Sequence, residues 1–184
     1  MIQRFTFGCP LPTESVVLPV EPAAAAVPYL TAEPDGSWSF SLAEDAVVYG
    51  LGEMPRGINK RGWHYVADNT DESHHGENRL SYYGAHNFLL IDGGAGRSVF
   101  GVFVDFPGKV FYDIGYTRHD RLTFRTEEPD YDLYILTGDS PNAVCTEFRK
   151  LIGHSYIPPK WAFGFAQSRW GYKTEEDVRE VARQ

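Results

Sequence analysis

Apolar and polar positions alternate along much of this chain, and where the alternation stops the period changes. Trp38, Phe40 and Leu42 are separated by single small residues after the turn-forming Pro34-Asp35-Gly36, a pattern that predicts a half-buried antiparallel strand. Val47 to Glu53 predicts another, with Gly50 and Gly52 permitting a bulge or a tight bend. Apolar runs then recur at Tyr82 to Ile91, Val99 to Val104, Val110 to Ile114, Leu122 to Phe124 and Leu133 to Leu136. Between them lie turn-rich segments: Asp92 to Gly96, Gly115 to Asp120 and Glu127 to Asp130. Short strands at this spacing predict an antiparallel β-sandwich. Residues 1 to about 30 predict one or two edge strands, interrupted by Pro19 and Pro22.

The helical period enters at Ser140. Asp139 or Ser140 supplies the cap, Pro141 occupies the first turn, and Val144, Phe148, Leu151 and Ile152 form an apolar stripe closed by Gly153. Cys145 falls inside this pattern and reads as a small core residue rather than a nucleophile. Pro158-Pro159 then marks a boundary. Trp161 to Ala166 is apolar without alternation, which predicts a strand buried on both faces, as in a parallel sheet. After the polar and aromatic loop Gln167 to Lys173, Thr174 is a helix cap with Glu175, Glu176 and Asp177 in the first turn. Strand, loop and helix are the repeating unit of an α/β barrel. One such unit has no neighbours to bury its strand, so the chain is expected to be a fragment ending just inside a larger domain. The exposed strand predicts self-association in isolation. The expected domains are a sandwich over 1–153, a linker over 154–160, and the first strand and helix of a truncated (β/α)₈ barrel over 161–184.

One stretch stays polar. Arg56 to Arg79 carries few apolar residues and is expected to be a long loop, of the kind that is functional or mobile. Asp71 and Asp68 are its candidate ligand-binding carboxylates, each equally compatible with a solvated surface. His74 and His75 are adjacent, so they point apart, and no third ligand has supporting spacing; no metal site is expected. Glu53, after the double glycine, reads as a structural residue of the bend. His86 reads as a hydrogen-bonding residue beside its strand.

Composition narrows the classes. The chain has 184 residues, 42% hydrophobic and 15% aromatic, enough for one domain with a sizeable core. A net charge of -8 argues against nucleic acid or an anionic membrane as partner. No apolar run approaches the length of a spanning helix, and the first ten residues lack the apolar core of a signal peptide. Cys9 and Cys145 are too few and too far apart for a disulfide framework, so a reducing cytoplasm is the expected location.

Five segments, in order, resemble glycoside hydrolase family 31, the retaining α-glucosidases and α-xylosidases. They are Tyr49-Gly50-Leu51-Gly52-Glu53 with Gly57 to Gly62, Tyr83-Gly84-Ala85-His86-Asn87-Phe88, Gly101-Val102-Phe103, Pro158 to Gly164, and Gln167 to Tyr172. The resemblance covers residues 49 to 184. It implies a mainly β fold: a galactose mutarotase-like sandwich with one helix, followed by the start of a (β/α)₈ barrel. It also implies hydrolysis of terminal α-linked glucose or xylose by two barrel carboxylates. These lie beyond Gln184, so no catalytic residue, cofactor or metal is expected here. The implied partners are an α-linked oligosaccharide and the remainder of the barrel. Arg169 and Trp170, in the loop after the first barrel strand, are implied to line the sugar pocket, and a sandwich loop carrying Asp71 and Asp68 is implied to reach over the barrel mouth. Trp170 is equally compatible with packing the barrel rim. Two other functions fit a β-sandwich rich in Trp and Tyr: a stand-alone carbohydrate-binding module, and a mutarotase-type epimerase. The epimerase would need a paired His and carboxylate that the motifs do not supply.

Overall fold

The computed structural model describes residues 1–94, 96–166 and 171–183. The chain divides into two compact units, Met1–His154 and Ser155–Gln184.

The first unit holds ten strands in two five-stranded antiparallel sheets. Sheet A contains, in spatial order, β1 (Ile2–Phe7), β10 (Tyr131–Thr137), β7 (Val99–Asp105), β6 (Ala85–Asp92) and β4 (Val47–Gly52). Sheet B contains β2 (Thr31–Ala32), β3 (Trp38–Ser41), β9 (Arg121–Thr126), β8 (Val110–Ile114) and β5 (Trp63–Ala67). Alternation sorts the side chains. Leu89, Ile91, Val102, Val104, Leu133 and Ile135 of sheet A meet Tyr65, Tyr112, Ile114, Leu122 and Phe124 of sheet B in one buried core. Trp38 Nε1 donates to Tyr131 Oη at 2.8 Å across the sheets, satisfying a polar tip inside that core.

Sheet A is covered on its other face as well. Helix α1 (Pro141–Ile152) sets Val144, Phe148 and Leu151 against Leu90, Phe103, Tyr134 and Leu136. This third layer explains why β10 is buried without alternation from Tyr131 to Leu136. The helix lies close: a Cβ on Gly101 would stand 2.9 Å from Val144 and 2.8 Å from Phe88. Ser140 caps α1 through Ala143 N, as its sequence predicts. The Leu151 carbonyl, unpaired within the helix end, accepts from Val17 N and Leu18 N at 2.9 and 3.2 Å. Cys145 is exposed, contrary to expectation. It lies one residue past buried Val144, and a step of 100° turns it off the apolar stripe. Ile152, at the stripe's end, is likewise exposed.

Two other expectations are corrected. The polar stretch contains a strand, β5, paired along its length with β8 from Trp63↔Ile114 to Ala67↔Val110. Tyr82 and Tyr83 precede the strand they were expected to begin, because β6 starts at Ala85. At the amino end only β1 forms, and Pro22 contributes a single bridge to Arg4.

In the second unit, Lys160–Phe163 forms a 3-10 turn where a buried strand is expected, and Trp161 to Ala166 are exposed. Ala162 N and Gly164 N bond to Pro159 O and Trp161 O. A strand satisfies its backbone only through neighbours; none is present among the described residues of this unit, and the polar groups turn to local partners. Helix α2 (Glu175–Arg183) forms as expected, with Thr174 Oγ1 accepting from Asp177 N and Asp177 Oδ2 accepting from Thr174 N. Every buried apolar side chain among the described residues belongs to the first unit. No described helix is long and apolar enough to cross a membrane.

Candidate functional site

The site begins where β4 breaks its pairing with β6. The register shifts between Gly50 and Gly52, and Leu51 between them takes φ +66°. A Cβ on Gly50 would lie 2.2 Å from Phe88 O, and one on Gly52 2.3 Å from Gly84 O, so only glycine fits. Glu53 N then donates to Gly84 O at 2.8 Å. His86 packs beside Gly52.

The next segment is internal scaffolding. Lys60 is buried, and its ammonium donates to the carbonyl oxygens of Gly57, Pro55 and Met54 at 2.8, 3.2 and 3.3 Å. Burial pushes this amine below the ordinary lysine range, with Glu77 opposing and Arg56 adding to the shift. Asn59 Oδ1 accepts from Val48 N and Arg61 N at 3.2 Å. The Arg61 guanidinium donates to the carbonyls of Ala43, Glu44 and Ala46 on one side and of His119 on the other. The Gly57 to Gly62 motif thus holds the chain that leads into β5. Arg56 donates to His64 O at 3.0 Å and Glu77 O at 2.8 Å, tying β5 to the loop that follows.

That loop, Asp68 to Gly84, is closed at its neck. Ser81 Oγ donates to Asp68 O at 2.7 Å, Thr70 N to Tyr82 O at 3.1 Å, and Ala85 N to Asn69 Oδ1 at 2.7 Å. Inside it, Tyr82 Oη donates to Gly76 O at 2.9 Å, and Glu72 takes Arg79 Nε at 3.1 Å and His74 N at 2.8 Å. His75 packs against the rings of Tyr82 and Tyr83, with centroids 5.0 and 5.4 Å apart. Asp71 accepts from the exposed phenol of Tyr83, which raises that phenol's pKa. An exposed carboxylate beside a phenol, with an imidazole packed against that phenol, can accept and donate hydrogen bonds to a neutral polyhydroxylated ligand.

Asp68 and Asp71 are not brought together. Asp68 forms an ion pair with Lys109 at 3.3 Å on the wall of an open groove of about 700 Å³, which also presents His86, Asn87, Asp105 and Glu127. Asp71 stands apart with Tyr83. Tyr83 went unrecognised as a site residue because its motif reads as the start of a strand. Arg169 and Trp170 lie outside the described residues. His74 and His75 point to different partners, the first to Ser73 and Glu72, the second to the tyrosines. Among the described residues no group of three His, Cys, Asp or Glu side chains is gathered to hold a metal ion.

Comparison with known proteins decides the family. Residues 26–113 match the glycosyl hydrolase 31 N-terminal galactose mutarotase-like domain, and residues 155–184 match the glycosyl hydrolases family 31 TIM-barrel domain. The chain belongs to glycoside hydrolase family 31. It is 35% identical over 147 residues to α-glucosidase 2 of Bacillus thermoamyloliquefaciens, a match covering 78% of this chain and 18% of that protein. Against human intestinal sucrase-isomaltase it is 33% identical over 142 residues, covering 74% of this chain and 7% of that one. A family 31 dextranase of Flavobacterium johnsoniae, a mutant complexed with isomaltotriose, superposes with TM-score 0.71 at 27% identity, over 86% of this chain and 19% of that chain. The chain therefore spans under a fifth of the length of each of these relatives. Its matched segments fall in the mutarotase-like domain and in the TIM-barrel domain of that family.

Proposed function

We propose that this chain is the non-catalytic N-terminal region of a retaining α-glucosidase-type hydrolase that removes terminal α-linked glucose or xylose. The sandwich is 1–153, the linker 154–160, and the first strand and helix of the barrel 161–184. The reading is carried by one observation: matches to two consecutive domains of one hydrolase family, in order along a single chain. Retaining hydrolysis needs two carboxylates about 5 Å apart. In this reading both come from barrel strands after residue 184.

The sandwich's part is to shape the pocket. Asp71 accepts hydroxyl hydrogen bonds from the terminal sugar, with Tyr83 as its neighbour and Asp68 as a weaker second contact. Trp170 and Arg169, in the loop after the first barrel strand, are the further substrate-binding residues of this reading. The exposed aromatic residues Trp161, Phe163 and Phe165 are covered by the remainder of the barrel. The partners are then an α-linked oligosaccharide and that remainder. Two free, exposed cysteines are compatible with a reducing cytoplasm.

Assays on p-nitrophenyl α-glucoside test the reading. The chain alone is expected to give no turnover, and the complete enzyme substantial turnover. In the complete enzyme Asp71→Asn is expected to lower kcat/KM about 10- to 100-fold, the worth of a hydrogen bond to a charged group. Turnover by the chain alone, or an unchanged Asp71→Asn enzyme, would overturn it. A stand-alone carbohydrate-binding module is the second reading, favoured by a core enclosed within Met1–His154.

A further inference from the structure

On the edge of sheet B two large aromatic rings are held in the open. Trp63 opens edge strand β5 and is 43% exposed; Tyr116 follows β8 and is 55% exposed. Their planes differ by 19° with centroids 6.4 Å apart, a stacked pair of near-parallel rings.

Neither ring is loose. Arg56 lies over the Trp63 ring with its guanidinium carbon 4.5 Å from the centroid, and Arg56 is itself fixed by the carbonyls of His64 and Glu77. His64 meets Tyr116 edge-on at 4.7 Å and 71°. Asp113 accepts from Tyr116 N and Thr117 N at 3.0 and 3.2 Å and fixes the turn that carries Tyr116. Side chains that cost rotamer entropy to order are thus ordered before any ligand arrives.

We propose that Trp63 and Tyr116 form a second carbohydrate platform, binding two neighbouring sugar units of an α-glucan chain through their apolar faces. The chemistry selects this ligand. Pyranose rings pair apolar C–H faces with equatorial hydroxyls, and Trp and Tyr offer an apolar body with a polar tip. Arg56, over the Trp63 ring, and His64, edge-on to Tyr116, are the polar side chains beside the rings for hydroxyl oxygens. A chain of net charge -8 favours a neutral polymer over a polyanion. Arg56 also links the platform to the loop bearing Asp71, through Glu77 O, so a long substrate held at the platform stays attached to the same braced unit. The choice of α-glucan rests on the hydrolase reading above; the platform itself needs no catalytic residue.

Calorimetric titration of this chain with maltoheptaose and with isomaltotriose tests it. Saturable binding is expected for at least one of them, weakened at least tenfold by Trp63→Ala and by Tyr116→Ala, and unchanged in Asp71→Asn. Circular dichroism and thermal melting check each variant, and Trp63→Phe, which keeps a ring, is expected to retain partial binding. Absence of saturable binding to both glucans would overturn the proposal. So would binding that survives both alanine variants, or that Asp71→Asn abolishes equally. In the complete enzyme, Trp63→Ala is expected to leave p-nitrophenyl α-glucoside hydrolysis unchanged, whereas Asp71→Asn impairs it. The platform and the hydrolase reading can therefore fail separately.

Discussion

Asp105 and Asp132 face each other across the β7–β10 ladder, two carboxylates at one rung of the outer face of sheet A. They are treated differently. Asp132 is gripped by Arg4, whose Nε and Nη2 donate at 3.0 and 2.8 Å, and by Thr6 Oγ1 at 2.7 Å. Asp105 accepts from the Thr13 hydroxyl and faces no bidentate cation among the described residues. Burial first, and Asp132 next after the opposing Thr13 bond, push its carboxyl above the ordinary carboxylate range.

Arg4→Ala leaves Asp132 buried without its cation. Removing one partner of a buried pair costs about 3–5 kcal/mol, and the 30% exposure of the Arg4 side chain reduces this to about 2 kcal/mol. Urea unfolding of Arg4→Ala, Asp132→Asn and the double variant measures the coupling; additive effects would mean that the pair is energetically silent.

Asp105 gives a pH dependence of defined sign. Its folded-state pKa lies above the unfolded value of 3.8, so the folded chain holds its proton more tightly. The stabilisation is present below that value and is lost as pH rises through the folded pKa. Asp105→Asn removes the titration. The variant's unfolding midpoint relative to the natural chain is therefore expected to be higher at pH 7 than at pH 3. A difference independent of pH would refute the assignment.

Gly52→Ala places a methyl 2.3 Å from Gly84 O at φ +71°. The bulge must open or the loop neck must shift, at a cost of about 2–4 kcal/mol. Chemical denaturation reads the cost. A loss below about 0.5 kcal/mol would show that the bulge yields freely.

The Tyr83 phenol is held protonated by Asp71. In an ultraviolet pH titration the Asp71→Asn chain is expected to show one tyrosine ionising at lower pH than in the natural chain. Identical curves would mean that the two groups do not meet in solution.

A chain ending at His154 retains every buried apolar side chain among the described residues. Its stability is expected to change by less than about 0.5 kcal/mol. It also loses Trp161, Phe163 and Phe165, each at least 73% exposed, so sedimentation is expected to show the full chain associating at concentrations where the shorter one stays monomeric.

Which features could be read from the residues follows from what surrounds each element. The hairpin of β6 and β7, and helix α1 with its serine cap, carry their own signals: alternation, turn glycines and capping chemistry act within a few residues. Strand β5 escaped notice because Trp-His-Tyr-Val-Ala sits among polar residues at a sheet edge, where only Tyr65 and Ala67 need burial. The apolar run at Trp161 to Ala166 follows the same rule but has no pairing strands among the described residues of its unit. Burial on both faces occurs instead at β10, where sheet B and α1 enclose the strand. The site shows the same division. Asp71 is a candidate from its polar loop alone, whereas the proposed Trp63–Tyr116 platform depends on β5 pairing with β8 and has no local signature.

The order of strands in sheet A has a consequence for the chain as it leaves the ribosome. The β10 segment, the last of the sheet A strands in chain order, is inserted between β1 and β7, pairing Ile2 with Leu136. Until it emerges, both neighbours present open hydrogen-bonding edges to whatever is nearby. Closure across so long a separation is slow, so the open edges of β1 and β7 persist for an interval in which edge-to-edge association competes with folding.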